Sequence, residues 1–239
     1  DRSVSRGLGD VYKRQIINTV KAFERSIYQC VYIIDYYKKG FSFVSSNFYR
    51  LCGVQADSIK DMGYDFYINH VPVSDIKMIL DINKSASILF NSLSLEEKKL
   101  CTVSFDFHIL KDGKYQLFNH KFTPLLFTKE GKIWIAICTV SPSSACISGN
   151  VIMKNYMSSS YYKYCMRTRK WNNCRDITLS NRELELLHYS TKGFTMKEIA
   201  HILKKSTDTV KACRKNIFRK MNVKNITEAI TYAQNHQLI

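Results

Sequence analysis

Thr195-Met196-Lys197-Glu198-Ile199-Ala200-His201-Ile202-Leu203-Lys204-Lys205-Ser206-Thr207-Asp208-Thr209-Val210-Lys211-Ala212-Cys213-Arg214-Lys215-Asn216-Ile217-Phe218-Arg219-Lys220-Met221 is the stretch whose reading decides the fold. Thr195 and Glu198 have capping-box spacing, in which the hydroxyl accepts from a free helix N–H and the carboxylate reaches back. Ile199, Ala200, Ile202 and Leu203 give that short helix its apolar side. A tight turn at Lys204-Lys205-Ser206 then leads into a helix over 207–221. Val210, Cys213, Ile217 and Met221 recur as one buriable stripe. Lys211, Lys215 and Arg219, four residues apart, form a basic stripe elsewhere on the same helix.

Working outward, Ser180-Asn181-Arg182-Glu183 is a second capping box. It opens a helix with Leu184 and Leu187 as its apolar stripe, ended by Gly193 in the left-handed conformation. Downstream, Asn225-Ile226-Thr227-Glu228 caps a fourth helix carrying Ala229, Ile230 and Ala233. An α-helix fits the major groove of duplex DNA, where a projecting Lys donates to guanine and a short apolar side chain touches a thymine methyl. Neighbouring Lys, Arg and hydroxyl groups suit phosphates.

This ordered set over 177–239 resembles the LuxR/FixJ/NarL-type helix–turn–helix. The resemblance implies base contacts from Lys211, Ala212 and Lys215. It implies phosphate contacts from Thr195, Lys197, Thr207, Thr209, Arg214 and Arg219, and dimerisation through the helix at 227–235. Cys213 stands where such proteins often carry His, on a position that faces inward.

Charge follows the same division. The 239 residues hold 36 Lys+Arg against 20 Asp+Glu, a formal net charge of +16. Residues 151–239 carry +11 of it and residues 1–150 only +5. Such an excess calls for an anionic partner, nucleic acid or an acidic membrane surface. The longest apolar run, Ile133–Cys138, is far short of the ~20 residues a spanning helix needs. No secretory signal is apparent, so a cytoplasmic protein is expected. Ser5–Gln15 resembles a translated sequencing adapter, so residues 1–15 are expected to be non-native and native sequence before Ile16 to be missing.

From Ile16 the sequence predicts an amphipathic helix (Ile16, Val20, Phe23, Ile27), then strands at 30–36 and 41–45. Helices follow over 47–51, 59–62, 75–82 and 85–93. Val103, Phe105, Phe107 and Ile109 alternate with Ser104, Asp106 and His108, which predicts a half-buried strand with His108 facing solvent. Strands at 116–127 and 132–141 complete the set, the last apolar on both faces and therefore central. This order, with Phe43-Val44-Ser45-Ser46-Asn47, Gly53 and the degenerate His70-Val71-Pro72-Val73-Ser74-Asp75, resembles a PAS domain. The fold class expected is α+β, an antiparallel five-stranded sheet with short helices over 16–142, followed by an all-α four-helix domain over 177–239. Residues 143–176 read as a linker with a β-hairpin in the aromatic, basic stretch Tyr161–Trp171.

The PAS resemblance implies a sensor or dimerisation module with an apolar pocket, for which Phe118, His120 and Phe122 share one strand face. His120 permits a haem-ligand reading, but an inward His beside Phe is ordinarily a hydrogen-bonded core residue. Cys52 does not match a flavin-adduct motif. The eight cysteines include no C-x-x-C pair. A zinc set of Cys138, Cys146, Cys165 and Cys174 is too widely spaced to favour. No cofactor is expected, no Gly-rich phosphate loop is present, and the element order excludes a phosphorylation-receiver fold. The function expected is sequence-specific duplex-DNA binding by a homodimeric, non-enzymatic transcription regulator with an RNA polymerase contact. The alternatives are a scaffold whose helical end docks a protein, and a ligand-processing enzyme fused to a helix–turn–helix.

Overall fold

The alternation in Val103–Ile109 is realised in the computed structural model, which describes residues 2–143, 145–235 and 238–239, the side chains of residues 2–10 and 235 excepted. The chain divides into two units, between Cys174 and Arg175. The first begins with helix α1 (Arg2–Glu24), strands β1 (Cys30–Asp35) and β2 (Gly40–Val44) and short helices α2 (Phe48–Cys52), α3 (Ala56–Met62) and α4 (Asp65–His70). Helices α5 (Val73–Asn91) and α6 (Leu95–Lys99) follow, then strands β3 (Cys101–Lys111), β4 (Lys114–Phe127) and β5 (Ile133–Pro142). Three more strands close the unit: β6 (Gly149–Asn155), β7 (Ser160–Cys165) and β8 (Lys170–Arg175).

All eight strands form one sheet in the order β2-β1-β5-β4-β3-β6-β7-β8. The part expected from the sequence, β2-β1-β5-β4-β3, is antiparallel throughout. β5 lies between β1 and β4, and Ile135, Ala136, Cys138 and Val140 are all buried, as a central strand requires. The five-strand count is corrected to eight, because the stretch read as a linker continues the sheet from the free edge of β3, with Val103 opposite Met153. Polar anchors hold it there. The buried Asp106 carboxylate accepts from Asn119 Nδ2, Ser143 Oγ and Asn150 Nδ2, each at 2.9 Å. Trp171 Nε1 donates to Ser85 Oγ at 2.9 Å, and the Tyr164 and Trp171 rings meet at 5.0 Å between centroids.

Other differences have local causes. The helices read separately over 75–82 and 85–93 are one, α5, since Ser85-Ala86-Ser87 contains no helix breaker. His108 does not simply face solvent: its Nδ1 and its backbone N each lie 2.8 Å from the buried Asp75 carboxylate. α1 starts at Arg2, well before Ile16, and Lys13 Nζ pairs with Asp35 at 2.5 Å. Gly53 ends α2 at φ +75°, a conformation few other residues tolerate.

The interior lies between one sheet face and the helices, with Phe48, Phe66, Ile82, Phe107 and Ile109 among its buried members. The opposite face buries Val31, Ile33, Phe43 and Ile135 against Val20 of α1. Among the described residues no helix is long and apolar enough to cross a membrane.

Asp106→Ala leaves three donors without their acceptor, and hydrogen bonds to charged groups are worth more than neutral ones. The substitution is expected to destabilise the first unit by about 3 kcal/mol. Both tryptophans, Trp134 and Trp171, belong to this unit, so urea unfolding followed by indole fluorescence reads it directly. An unchanged midpoint would contradict the anchoring role.

Candidate nucleic-acid interface

Four helices form the second unit: α7 (Asn181–Thr191), α8 (Met196–Ile202), α9 (Thr207–Met221) and α10 (Ile226–Asn235). Their starts are fixed by side chains. Ser180 with Glu183 and Thr195 with Glu198 form complete capping boxes. Ser206 accepts from Thr209 N at 3.2 Å, and Asn225 Oδ1 from Glu228 N at 2.9 Å. Gly193 takes the expected positive φ, +82°, and Asn222 ends α9 in the left-handed region. The core comprises Leu186, Leu187, Ile199, Ala200, Val210, Ile217, Met221, Ala229 and Ala233. Leu186 is buried in place of Leu184, because α7 touches both α9 and α10 and so buries two adjacent positions.

With Val210, Ile217 and Met221 turned inward, the other side of α9 is left to solvent. Asp208, Thr209, Lys211, Ala212, Lys215, Asn216 and Arg219 are exposed. The three residues expected to read bases therefore share one exposed face, and Arg219 continues it. Of the remaining expected contacts, Lys197 is exposed on α8, while Thr207 and Arg214 are half-buried, the Arg214 guanidinium lying 5.7 Å from the Phe218 ring centre. The Thr195 hydroxyl is occupied by its capping box, 2.8 Å from Glu198 Oε2, and Thr209 Oγ1 by Ser206 Oγ at 2.8 Å. Cys213 is half-buried, consistent with an inward-leaning position.

The structure adds two ion pairs of this unit to the expected features. Lys220 Nζ donates to the buried Glu183 carboxylate at 2.7 Å and to Thr178 O at 3.0 Å, bracing α9 against the start of α7. Although burial alone would raise it, Lys220 and the Ser180 donors hold the Glu183 carboxyl below its usual range. Asp208, on the exposed face that carries Lys211, Ala212 and Lys215, pairs with Lys211 at 3.1 Å, both side chains well exposed. The Asp208 pair was legible as an i,i+3 spacing; the Glu183–Lys220 pair, 37 residues apart, carries no local signal.

Phe118, His120 and Phe122 lie on one strand but not around one cavity. His120 is buried, with Nε2 2.6 Å from Tyr32 Oη, which lies 2.6 Å from Tyr67 Oη. Its Nδ1 has no hydrogen-bond partner among the described residues, and burial pushes the imidazole down to about 3, so the ring is neutral. The void beside Tyr32 and Tyr67 measures about 10 Å³, room for no more than about one water. With Nε2 engaged by Tyr32 and no space beside it, these residues do not fit a haem. Phe118 borders a different, solvent-open cavity, and Phe122 is half-buried with its ring 6.2 Å from that of Tyr36. Among the described residues, no three His, Cys, Asp or Glu side chains converge as a metal site would need.

Residues 177–233 match the GerE family model, bacterial regulatory proteins of the luxR family. The second unit is a LuxR-family helix–turn–helix domain. Curated relatives of this domain include the Fimbriae Z protein of Salmonella typhimurium, 44% identical over 64 residues, covering 27% of this chain and 30% of that protein. The oxygen regulatory protein NreC of Staphylococcus carnosus is 43% identical over 61 residues, covering 26% and 28%. The chain thus spans about three tenths of the length of these two relatives. Among solved structures, a Vibrio cholerae VqmA–ligand–DNA complex is 14% identical, covering 91% of this chain and 86% of that one, with a TM-score of 0.35.

The Glu183–Lys220 brace in the LuxR-family domain predicts a pH response. A carboxyl held low in the folded state contributes stability that is present above its unfolded value and lost as pH falls. Lys220→Met is expected to cost about 2 kcal/mol at neutral pH, less than a fully interior pair because the Lys220 side chain is partly solvated. It should also flatten the acid-side loss. Hydrogen exchange across residues 175–239 of the full chain reads both effects, and an unaltered pH profile would refute the brace.

Proposed function

We propose that the chain is a sequence-specific, duplex-DNA-binding transcription regulator that acts in the cytoplasm and performs no catalysis. α9 enters the major groove with Lys211, Ala212 and Lys215 against base edges. Thr195, Lys197, Thr207, Thr209, Arg214 and Arg219 lie along the phosphates, the threonines whose hydroxyls serve as caps offering those oxygens only by sharing them. Two copies pair through the helix at 227–235 to span two half-sites, with residues 16–142 as a second dimer surface and an RNA polymerase contact completing the assembly. Residues 16–142 sense an input that shifts the binding-competent population, and of Phe118, His120 and Phe122 only Phe118 borders a cavity with room for one. Residues 177–239 are the DNA-binding domain, and strands within residues 143–176 extend the sensor sheet.

One observation carries this reading. A helix whose apolar stripe is buried presents Lys211, Ala212, Lys215 and Arg219 on one exposed face, in the more basic part of the chain. A partner with evenly spaced negative charge and a groove of helix width meets that face best.

A preferred duplex selected from a random pool supplies the test. Lys211→Ala with Lys215→Ala is expected to abolish the preference for that duplex over random DNA, each lost base contact costing about 1–3 kcal/mol. Arg219→Ala is expected to keep the preference while lowering the slope of log affinity against log salt by about 1. A double variant that still discriminates, or a wild-type affinity indifferent to salt, would contradict the proposal.

A further inference from the structure

At the end of the sheet where β1 begins and β5 finishes, a cavity of about 210 Å³ opens to solvent. Its floor is apolar: Cys30, Leu51, Phe118 and Val140 line it, and all four are buried. Burial pushes the Cys30 thiol up to about 12, so the floor carries no thiolate at neutral pH. Its mouth is cationic. Arg50 and Lys111 line it, and among the described residues no carboxylate does.

One of the two cations is fixed on the backbone of the other. Lys111 Nζ donates to the backbone carbonyl of Arg50 at 2.8 Å, which ties the end of β3 to α2 and leaves the ammonium two further donors. Two cationic side chains lining one mouth make the local potential positive, and an anion seated there is attracted by both. Arg adds a planar fork that matches a carboxylate in two parallel hydrogen bonds. The volume of about 210 Å³ is below the range of drug-sized pockets. A single ring or a short alkyl chain fills it.

We propose that this cavity binds a small organic carboxylate, its apolar body on the Phe118–Val140 floor and its charge between Arg50 and Lys111. The site is separate from the filled interior around Tyr32 and His120, where the void is only about 10 Å³. It also lies beside the connection from α1 to β1. Tyr28 stands at the rim, 98% exposed, and Asn47, another lining residue, donates to Ile27 O and Gln29 O at 3.4 and 3.3 Å. An occupant gives the Tyr28 ring a surface to close on and so orders that connection. This regulatory consequence rests on the reading of residues 16–142 as a sensor; the binding itself does not.

Fluorine NMR titration of the full chain with 4-fluorobenzoate and 6-fluorohexanoate, against the neutral 4-fluorobenzamide, tests the site. Saturable binding of at least one carboxylate is expected, with the amide at least tenfold weaker. Arg50→Gln and Lys111→Gln should each weaken the carboxylate five- to tenfold, the first without moving the thermal midpoint and the second with only the small loss of its exposed bond to Arg50 O, whereas Lys163→Gln on an exposed strand position should change nothing. Absence of saturable binding by both carboxylates, equal binding of the amide, or equal loss with Lys163→Gln overturns the proposal. Duplex affinity measured with and without the bound probe judges the sensor reading separately: carboxylate binding that leaves it unchanged upholds the site and overturns its link to regulation. The unliganded chain's duplex affinity judges the DNA-binding reading by itself.

Discussion

Burial of Val210, Ile217 and Met221 against the other three helices fixes the rotation of α9 about its own axis. Everything proposed for the second unit depends on that constraint. A helix held by one stripe has no freedom to choose what its other side displays, so Lys211, Ala212, Lys215 and Arg219 face solvent as a consequence of packing. Lys220 shows the same logic in reverse. Its place on the helix carries it to Glu183 and Thr178 O, where it serves as a brace and is withdrawn from the basic face.

In the first unit, two buried carboxylates do the comparable work. Asp75 holds β3 through His108 and also accepts from Ser148 Oγ at 3.3 Å. Asp106 gathers donors from β4, from the turn after β5 and from β6. Buried carboxylates are costly unless their lone pairs are occupied, so these contacts fix Ser143, Ser148 and Asn150 and thereby let β6 pair with β3. The extended sheet then brings Tyr164 and Trp171 over α5.

Much of this was legible from local pattern. Three of the four caps in the second unit, the α9 stripes, the alternation in β3 and the two-faced apolarity of β5 each follow from spacing over a few residues. What was not legible depends on partners distant in sequence. β6 to β8 looked like a linker because Ser158-Ser159-Ser160 interrupts short runs, and only the edge of β3 and the Asp106 donors make strands of them. His108 and Asp75 stand 33 residues apart, and Lys220 and Glu183 37 apart, so neither pairing has a periodic trace. Phe118, His120 and Phe122 do share a strand, yet the rings of Tyr32, Phe105 and Phe107 close around His120 while Phe118 borders the open cavity.

Backbone amide NMR of the full chain, titrated with its selected duplex, addresses the role of α9 most directly. The account predicts the largest shifts at Thr209, Lys211, Ala212, Lys215 and Arg219, and small ones at Val210, Ile217 and Met221. Shifts concentrated along residues 227–235, or confined to the first unit, would contradict it.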